Sequence, residues 1–487
     1  MPERAKSPRI EKDSLGHKEI PNHVYYGIQT ARAVENYPIS GLRAHPTLIR
    51  AIAMVKEAAA LANRELGLVD AKTADAIIEA AKEVQQGKWD EHFVVDVFQA
   101  GAGVSFHMNS NEVIANRAAE LLGGARGEYK HVHPNDHVNY GQSTNDVFPT
   151  AMRLATLLEL ESLYVVLDDL TAALEGKGKE FHHVLKSGRT HMQDAVPMRL
   201  GQEFAAYAGA VQRAKKMIRE QSELLREIGL GGSAVGTGIN THPDYRHKAI
   251  AELSRISAQK LHAVDDMRYA MQSNLAMSSV SSALRNLALE VIRISNDLRL
   301  LSSGPNTGFA EINLPALQPG SSIMPGKINP VMPELAAMVS FQVVGYDTAV
   351  ALAVQAGQLE LNVMMPTMAY SVLTSITILT NMLRQLTAFC IKGITVNEQR
   401  TQYYVQSTVS LATALNPYIG YAKAAEIAKE SVKTGRSIID IARERGELTD
   451  EQIKEILDPA RMTEPTAPHE IAKEREKVKK QGLGVRG

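Results

Sequence analysis

Residues 304–333 read GPNTGFAEINLPALQPGSSIMPGKINPVMP. Gly304, Gly308, Gly320 and Gly326 share this stretch with six prolines, and no helix survives that density of breakers. Helical patterns lie on both sides of it. So long a connection inside a compact helical chain is usually a lid or a binding loop. Its polar side chains suit chemistry: Ser321 and Ser322, then Lys327 and Asn329, then Glu334 where helix can resume. The stretch reads as a site loop set into a helical frame.

Working outward, Met267–Ser303 carries a long helical pattern that Gly304 and Pro305 stop in the expected order. Beyond the loop, Leu335–Gln358 and Pro366–Lys392 are predicted as two more long apolar helices. Toward the N-terminus, Ile52, Val55, Ala59 and Leu61 recur near helical spacing within Leu48–Gln85. Two polar stretches follow, QAGAGVSFHMNSNEVIAN at Gln99–Asn116 and HVHPNDHVNYGQSTNDVFP at His131–Pro149. Ser143 and Asp146 stand at capping-box spacing, ahead of one apolar stripe formed by Leu154, Leu158, Leu163, Val166, Leu170 and Leu174. Gly176 and Gly178 are predicted to end that helix. KSGRTHMQDAVP at Lys186–Pro197 reads as a polar turn, helix resumes through Leu225, and GLGGSAVGTGIN at Gly229–Asn240 reads as a tight turn. No strand-rich region and no repeat is evident.

The expected fold is therefore all-α, with three segments: an N-terminal mostly helical 1–145, a central long-helix bundle 146–395 holding the loop, and a small helical 396–487. Helices of about 25–40 residues suggest an elongated bundle. Apolar positions on more than one of their faces call for burial against other copies of the chain.

Composition narrows the function. The 487 residues carry a formal net charge of -1 and a pI near 7.0, which leaves no electrostatic footprint for nucleic acid or a membrane surface. A single cysteine, Cys390, excludes a disulfide within the chain and fits a cytoplasmic setting. In its apolar helical context it reads as a small buried residue rather than a nucleophile. The N-terminus MPERAKSPRIEKD lacks the apolar run of a signal peptide. Ala349–Met365 is broken by Gln355, Gly357, Gln358 and Glu360, so it reads as core helix and not a membrane span.

Several motifs carry nothing. GLGVRG at Gly482–Gly487 has no strand before it and reads as a tail, and the glycine-rich turn lacks the GK[ST] of a phosphate loop. His131, His133 and His137 have ligand chemistry but no supporting pattern, so no metal is expected. Met364, Met365 and Met368 read as core. What remains is a set of hydroxyls and amides with few charges: Ser143, Thr144, Asn145, Thr190, His191, Ser321, Lys327 and Asn329. Such donors satisfy carboxylate lone pairs without a metal, which suits a small dicarboxylate.

These residues also carry a resemblance. GSSIMPGKINP at Gly320–Pro330 resembles the signature loop of the fumarase/aspartase superfamily, and PNDHVNYGQSTND and GRTHMQDAVPMRLGQEF resemble its other two site regions, in the same order. The MPGK form is shared by class II fumarases and aspartases. YYGIQT at Tyr25–Thr30, Thr144 in QSTND, INPVMPE ending at Glu334, and AGQLELNV at Ala356–Val363 are similar to the aspartase form. The resemblance implies ammonia elimination from L-aspartate to give fumarate, without a cofactor. It further implies a homotetramer whose central bundle has about twenty helices, with sites built from three subunits. Fumarate hydration, a lyase acting on a modified amino-dicarboxylate, and an inactive crystallin-like role are the alternatives.

By the same resemblance, Ser321 is the base that takes the proton beside the β-carboxylate. Ser143, Thr144 and Ser322 donate to the resulting aci-carboxylate, while Thr190, Lys327 and Asn329 hold the α-carboxylate. Asn145 and His191 face the leaving ammonia, and Glu334 orients His191. Val104 falls at a substrate-binding position where the family usually has threonine. Met365 and His107 also depart from the family's usual residues.

Overall fold

A computed structural model of the chain describes residues 7–466 and 468–482. The first six residues and all but the first of GLGVRG lie outside that range. The all-α expectation holds. Among the described residues, the strands are short and form only two-stranded sheets.

The chain opens with the hairpin β1 (Arg9–Asp13) and β2 (Gly16–Ile20), then α1 (Ile28–Asn36). The pattern over Leu48–Gln85 is two helices, not one: α2 (Pro46–Glu65) and α3 (Ala71–Gln85). Gly67 at φ +69° turns the chain between them, and the Asp70 side chain caps α3 by accepting from the Thr73 amide. Next come α4 (Val104–Leu121) and α5 (Thr144–Glu180). Helix α5 runs straight through Gly176 and Gly178, the predicted terminators. A Cβ at Gly201 would collide with the Gly178 carbonyl oxygen, so this pair of glycines permits a close backbone approach instead of ending a helix.

The predicted turn over Lys186–Pro197 is a hairpin, β3 (Leu185–Thr190) with β4 (Gln193–Arg199). It leads into α6 (Leu200–Ser222). After β5 (Glu227–Ile228), α7 (Tyr245–Ser257) and β6 (His262–Ala263), the pattern over Met267–Ser303 divides into α8 (Met267–Gln272) and α9 (Leu275–Leu301). The breaker-rich stretch contains β7 (Ile312–Asn313). Helices α10 (Val331–Gln355) and α11 (Met365–Phe389) follow, then β8 (Thr395–Val396) and α12 (Glu398–Ser407), and shorter helices complete the described chain.

The chain divides into two compact units. The first holds 1–167, 213–291 and 338–382. In it α2 packs on α3 and α7, and α3 packs on α4, around fully buried Ile52, Val55, Val84, Val113 and Ile114. The second holds 168–212, 292–337 and 383–487. Its C-terminal part has a core of its own, built on Leu411, Leu415, Ile427, Ile441, Ile453 and Leu457. Cys390 is buried, and burial pushes its thiol up to about 12, as expected of a packing residue. Met365 and Met368 are core, while Met364 is partly exposed.

Candidate active site

In the second unit, the loop is closed by its own backbone. The Gly320 amide donates to the Lys327 carbonyl at 2.7 Å, and Asn329 Nδ2 donates to the Gly320 carbonyl at 2.7 Å. Gly320 cannot carry a side chain here, because a Cβ would collide with the Lys327 carbonyl oxygen. Gly326 turns the chain at φ +80°. Inside this closure, Ser321 Oγ accepts from the amides of Ile323 at 3.3 Å and Met324 at 3.1 Å. Two backbone N–H dipoles aimed at one oxygen favour negative charge on it. Ser322 and Lys327 are exposed, and so are Ile323, Met324 and Ile328. Glu334 lies in the first turn of α10.

The loop's base is fixed by a buried carboxylate. Glu311 is fully buried and meets Arg189 at 3.1 Å and Lys186 at 3.3 Å, both on β3. Lys186 also pairs with Glu203 at 2.7 Å. Pairing of β7 with β8 holds the same segment. Buried ion groups of this kind are poor sources of net stability, but they fix register. They tie the loop to the hairpin that carries Thr190 and His191. That hairpin turns through His191 (φ +53°) and Met192 (φ +59°), a two-residue turn with both φ positive, ordinarily filled by Asn-Gly. A histidine and a methionine are strained there, and such strain clusters at functional sites. Thr190 and His191 are both exposed.

In the first unit, Val104 begins α4 directly after the turn Gly101–Gly103. Gly103 has φ +83°, and a Cβ on it would collide with the Phe148 ring. The Ala102 amide donates to the Val363 carbonyl at 2.7 Å. Val104 is 42% exposed. Ser143 caps α5: its Oγ accepts from the Asn145 amide at 3.2 Å, and Asp146 Oδ1 accepts from the Ser143 amide at 2.9 Å. Asp146 Oδ2 also accepts from the amides of Gly231 and Ser233, and Asn145 Nδ2 donates to the Ala234 carbonyl at 2.7 Å. The glycine-rich turn thus frames the start of α5. Burial raises the Asp146 carboxyl to about 6, against the pull of three backbone amides and Lys56.

Beneath Thr144 lies a group to which the sequence assigned no role, although His107 stood out as a departure from the family. Thr144 Oγ1 is 2.6 Å from His107 Nδ1. His107 Nε2 is 2.7 Å from Lys56 Nζ, and Lys56 also donates to Asn139 Oδ1 at 3.0 Å and Gln142 Oε1 at 2.8 Å. Lys56 is fully buried and His107 is 1% exposed. The available signal was position: Lys56 is four residues after Ile52, on the face that carries the apolar stripe of α2.

The predicted residues therefore form two sets. Val104, Ser143, Thr144 and Asn145 belong to the first unit, and Thr190, His191, Ser321, Ser322, Lys327, Asn329 and Glu334 to the second. Among the described residues, no hydrogen bond or ion pair within one chain joins His191 to Glu334, or Lys327 to Ser321. His133 and His137 serve the backbone, His133 Nδ1 accepting from the amides of Asn135 and Asp136 and His137 Nδ1 from that of His133.

Residues 16–345 match the Lyase family model, and residues 411–464 match that of the Fumarase C C-terminus. An aspartate ammonia-lyase of Bacillus subtilis strain 168 is 48% identical over 460 residues, covering 94% of this chain and 97% of that protein. A solved structure described as fumarate lyase:delta crystallin from Brucella melitensis bound to cobalt superposes with a TM-score of 0.91 at 48% identity, over 94% of this chain and all of the other. A class II fumarase from Schistosoma mansoni gives 0.92 at 37% identity, also over 94% of this chain and all of the other. The closed Gly320–Asn329 loop and the Ser143–Asp146 cap thus stand in a chain that belongs to the lyase family of fumarases and aspartases.

Proposed function

We infer that this protein is an aspartate ammonia-lyase, which eliminates ammonia from L-aspartate reversibly to give fumarate. The observation that carries this reading is the 48% identity to an aspartate ammonia-lyase over nearly the whole of both chains.

The roles are those that the family resemblance implies. Ser321, as alkoxide, takes a proton from the carbon next to the β-carboxylate. A serine hydroxyl is too weak an acid to ionise unaided. The amides of Ile323 and Met324 that point at its Oγ, with Lys327 six residues on, support that ionisation. The electron pair moves onto the β-carboxylate as an aci-carboxylate, which accepts hydrogen bonds from Ser143, Thr144 and Ser322. Collapse re-forms the carboxylate, creates the double bond and expels ammonia beside Asn145 and His191. Thr190, Lys327 and Asn329 hold the α-carboxylate. Glu334 orients His191, and the exposed loop closes over substrate.

Assembly completes the reading. We place the chain in a homotetramer with sites shared by three subunits, in the cytoplasm. Support comes from α10, which is long and apolar enough to cross a membrane by length and composition, with only 33% of its apolar window buried. Its exposed Met338, Phe341 and Leu352 suit contact with other copies. A three-domain division at 145/146 and 395/396 belongs to the same proposal, supported by the separate core within 411–457.

A second reading rests on Val104, which offers a methyl where a hydroxyl would meet the amine. A modified amino-dicarboxylate would tolerate that exchange. The test follows absorbance of the fumarate double bond with L-aspartate and then L-malate. Signal from aspartate alone is expected. Signal from malate alone makes the enzyme a hydratase, and silence from both overturns the aspartate assignment.

A further inference from the structure

The residues beneath Thr144 determine which way its hydroxyl points. Lys56 Nζ has three acceptors around it: His107 Nε2, Asn139 Oδ1 and Gln142 Oε1. The two amides cannot turn round without loss. Asn139 Nδ2 already donates to the Gln142 carbonyl at 3.2 Å, and Gln142 Nε2 to the carbonyls of Val138 at 3.0 Å and Tyr140 at 3.3 Å. An ammonium has three protons, one for each acceptor. Burial holds the Lys56 ammonium well below the usual lysine range, with Asp146 pulling the other way. With both amide oxygens and an imidazole nitrogen turned to it, Nζ is set up to donate in all three directions. The proton from Lys56 occupies the lone pair on His107 Nε2, so the imidazole proton must sit on Nδ1. Burial, and then Lys56, hold the imidazole neutral. Nδ1–H then donates to Thr144 Oγ1 across 2.6 Å, and the hydroxyl's own proton is free to point elsewhere.

We propose that His107 is a positioning residue: with its tautomer fixed by Lys56, it holds the Thr144 hydroxyl as a hydrogen-bond donor toward the substrate's β-carboxylate. This rests on the reading that Thr144 contacts that carboxylate. A threonine with the opposite polarity would present lone pairs to an anion. Donation to charge that grows as the aci-carboxylate forms acts on kcat more than on KM.

Two substitutions separate positioning from packing. His107→Gln keeps an acceptor for Lys56 at the Nε2 place but removes the donor to Thr144. His107→Asn does the reverse, keeping a donor near the Nδ1 place and leaving the ammonium short of an acceptor. Each is measured for kcat, KM and Tm, alone and with Thr144→Val. The expectation is a kcat about tenfold lower in Thr144→Val and in His107→Gln, with KM within about twofold, no further loss in the double variant, and a smaller loss in His107→Asn. If His107 only fills space and satisfies Lys56, His107→Asn is the more damaging of the two, and that order overturns the proposal. So does an additive double variant. If Thr144→Val alone leaves kcat and KM unchanged, the assignment of Thr144 itself fails, and the positioning role falls with it.

Discussion

The loop at 304–333 and the ground beneath Thr144 are built on opposite principles. From Ser322 to Ile328 the loop is exposed throughout, with Ile323 83% open. Beneath Thr144, by contrast, Lys56 and His107 are buried and hydrogen-bonded to each other, and Asp146 is buried with its oxygens on the amides of Ser143, Gly231 and Ser233. The loop has little to lose in stability and can carry the reactive group. The buried group cannot move without stranding a polar atom, so it serves to fix direction. Reactivity and precision are thus assigned to different parts of the chain.

Substitution tests that division. Ser321→Ala should lower kcat by about a thousandfold while leaving the melting temperature nearly unchanged, because its Oγ bonds only to two amides of the same exposed loop. A large drop in melting temperature would mean that the loop is structural after all. Lys56→Met should do the opposite and cost about 3 kcal/mol of stability in denaturant melts, since Asn139, Gln142 and His107 lose their donor together. A neutral result would show that the ammonium is dispensable to the core. Val104→Thr adds a hydroxyl at the start of α4 and should lower KM for L-aspartate about fivefold, the equivalent of ~1 kcal/mol. An unchanged KM would place Val104 away from the substrate's amine.

The smallest effect is one of pH. Glu112 is 1% exposed and accepts from the amides of Gly27, Gln29 and Thr30 and from the Thr30 hydroxyl. Burial raises its carboxyl from 4.5 to about 7. With the folded value above the unfolded one, its contribution is fully present below about 4.5 and lost as pH rises through about 7. The melting-temperature difference between the parent and Glu112→Gln should therefore shrink over that window and level off above it. A difference that stays constant between about 4.5 and about 7 would mean that Glu112 is already ionised in the folded protein across that window.

Much of this was legible beforehand. The site loop announced itself through Gly304, Gly320, Gly326 and six prolines, because breakers act locally and leave a local trace. The cap at Ser143 was readable for the same reason. Other features depend on partners remote in sequence. Gly176 and Gly178 read locally as terminators, but Gly178 instead lets Gly201 approach closely. The hairpin at Leu185–Arg199 leaves little local trace, since His191-Met192 is not the dipeptide that such turns favour. Nothing local to Lys56 marks it, and only the fold surrounds it with acceptors.

That hairpin has one more consequence. His191 sits at the tip of a two-stranded ribbon whose base is fixed by Lys186, Arg189 and buried Glu311, and whose register already shifts once between Ser187 and Arg189. A ribbon alternates its faces residue by residue. Its length therefore works as a ruler: adding or removing one residue between the anchor and the tip would turn the imidazole to the other face while every chemical group survived. In descendants of this chain, substitutions along the ribbon can accumulate, but its count of residues cannot drift.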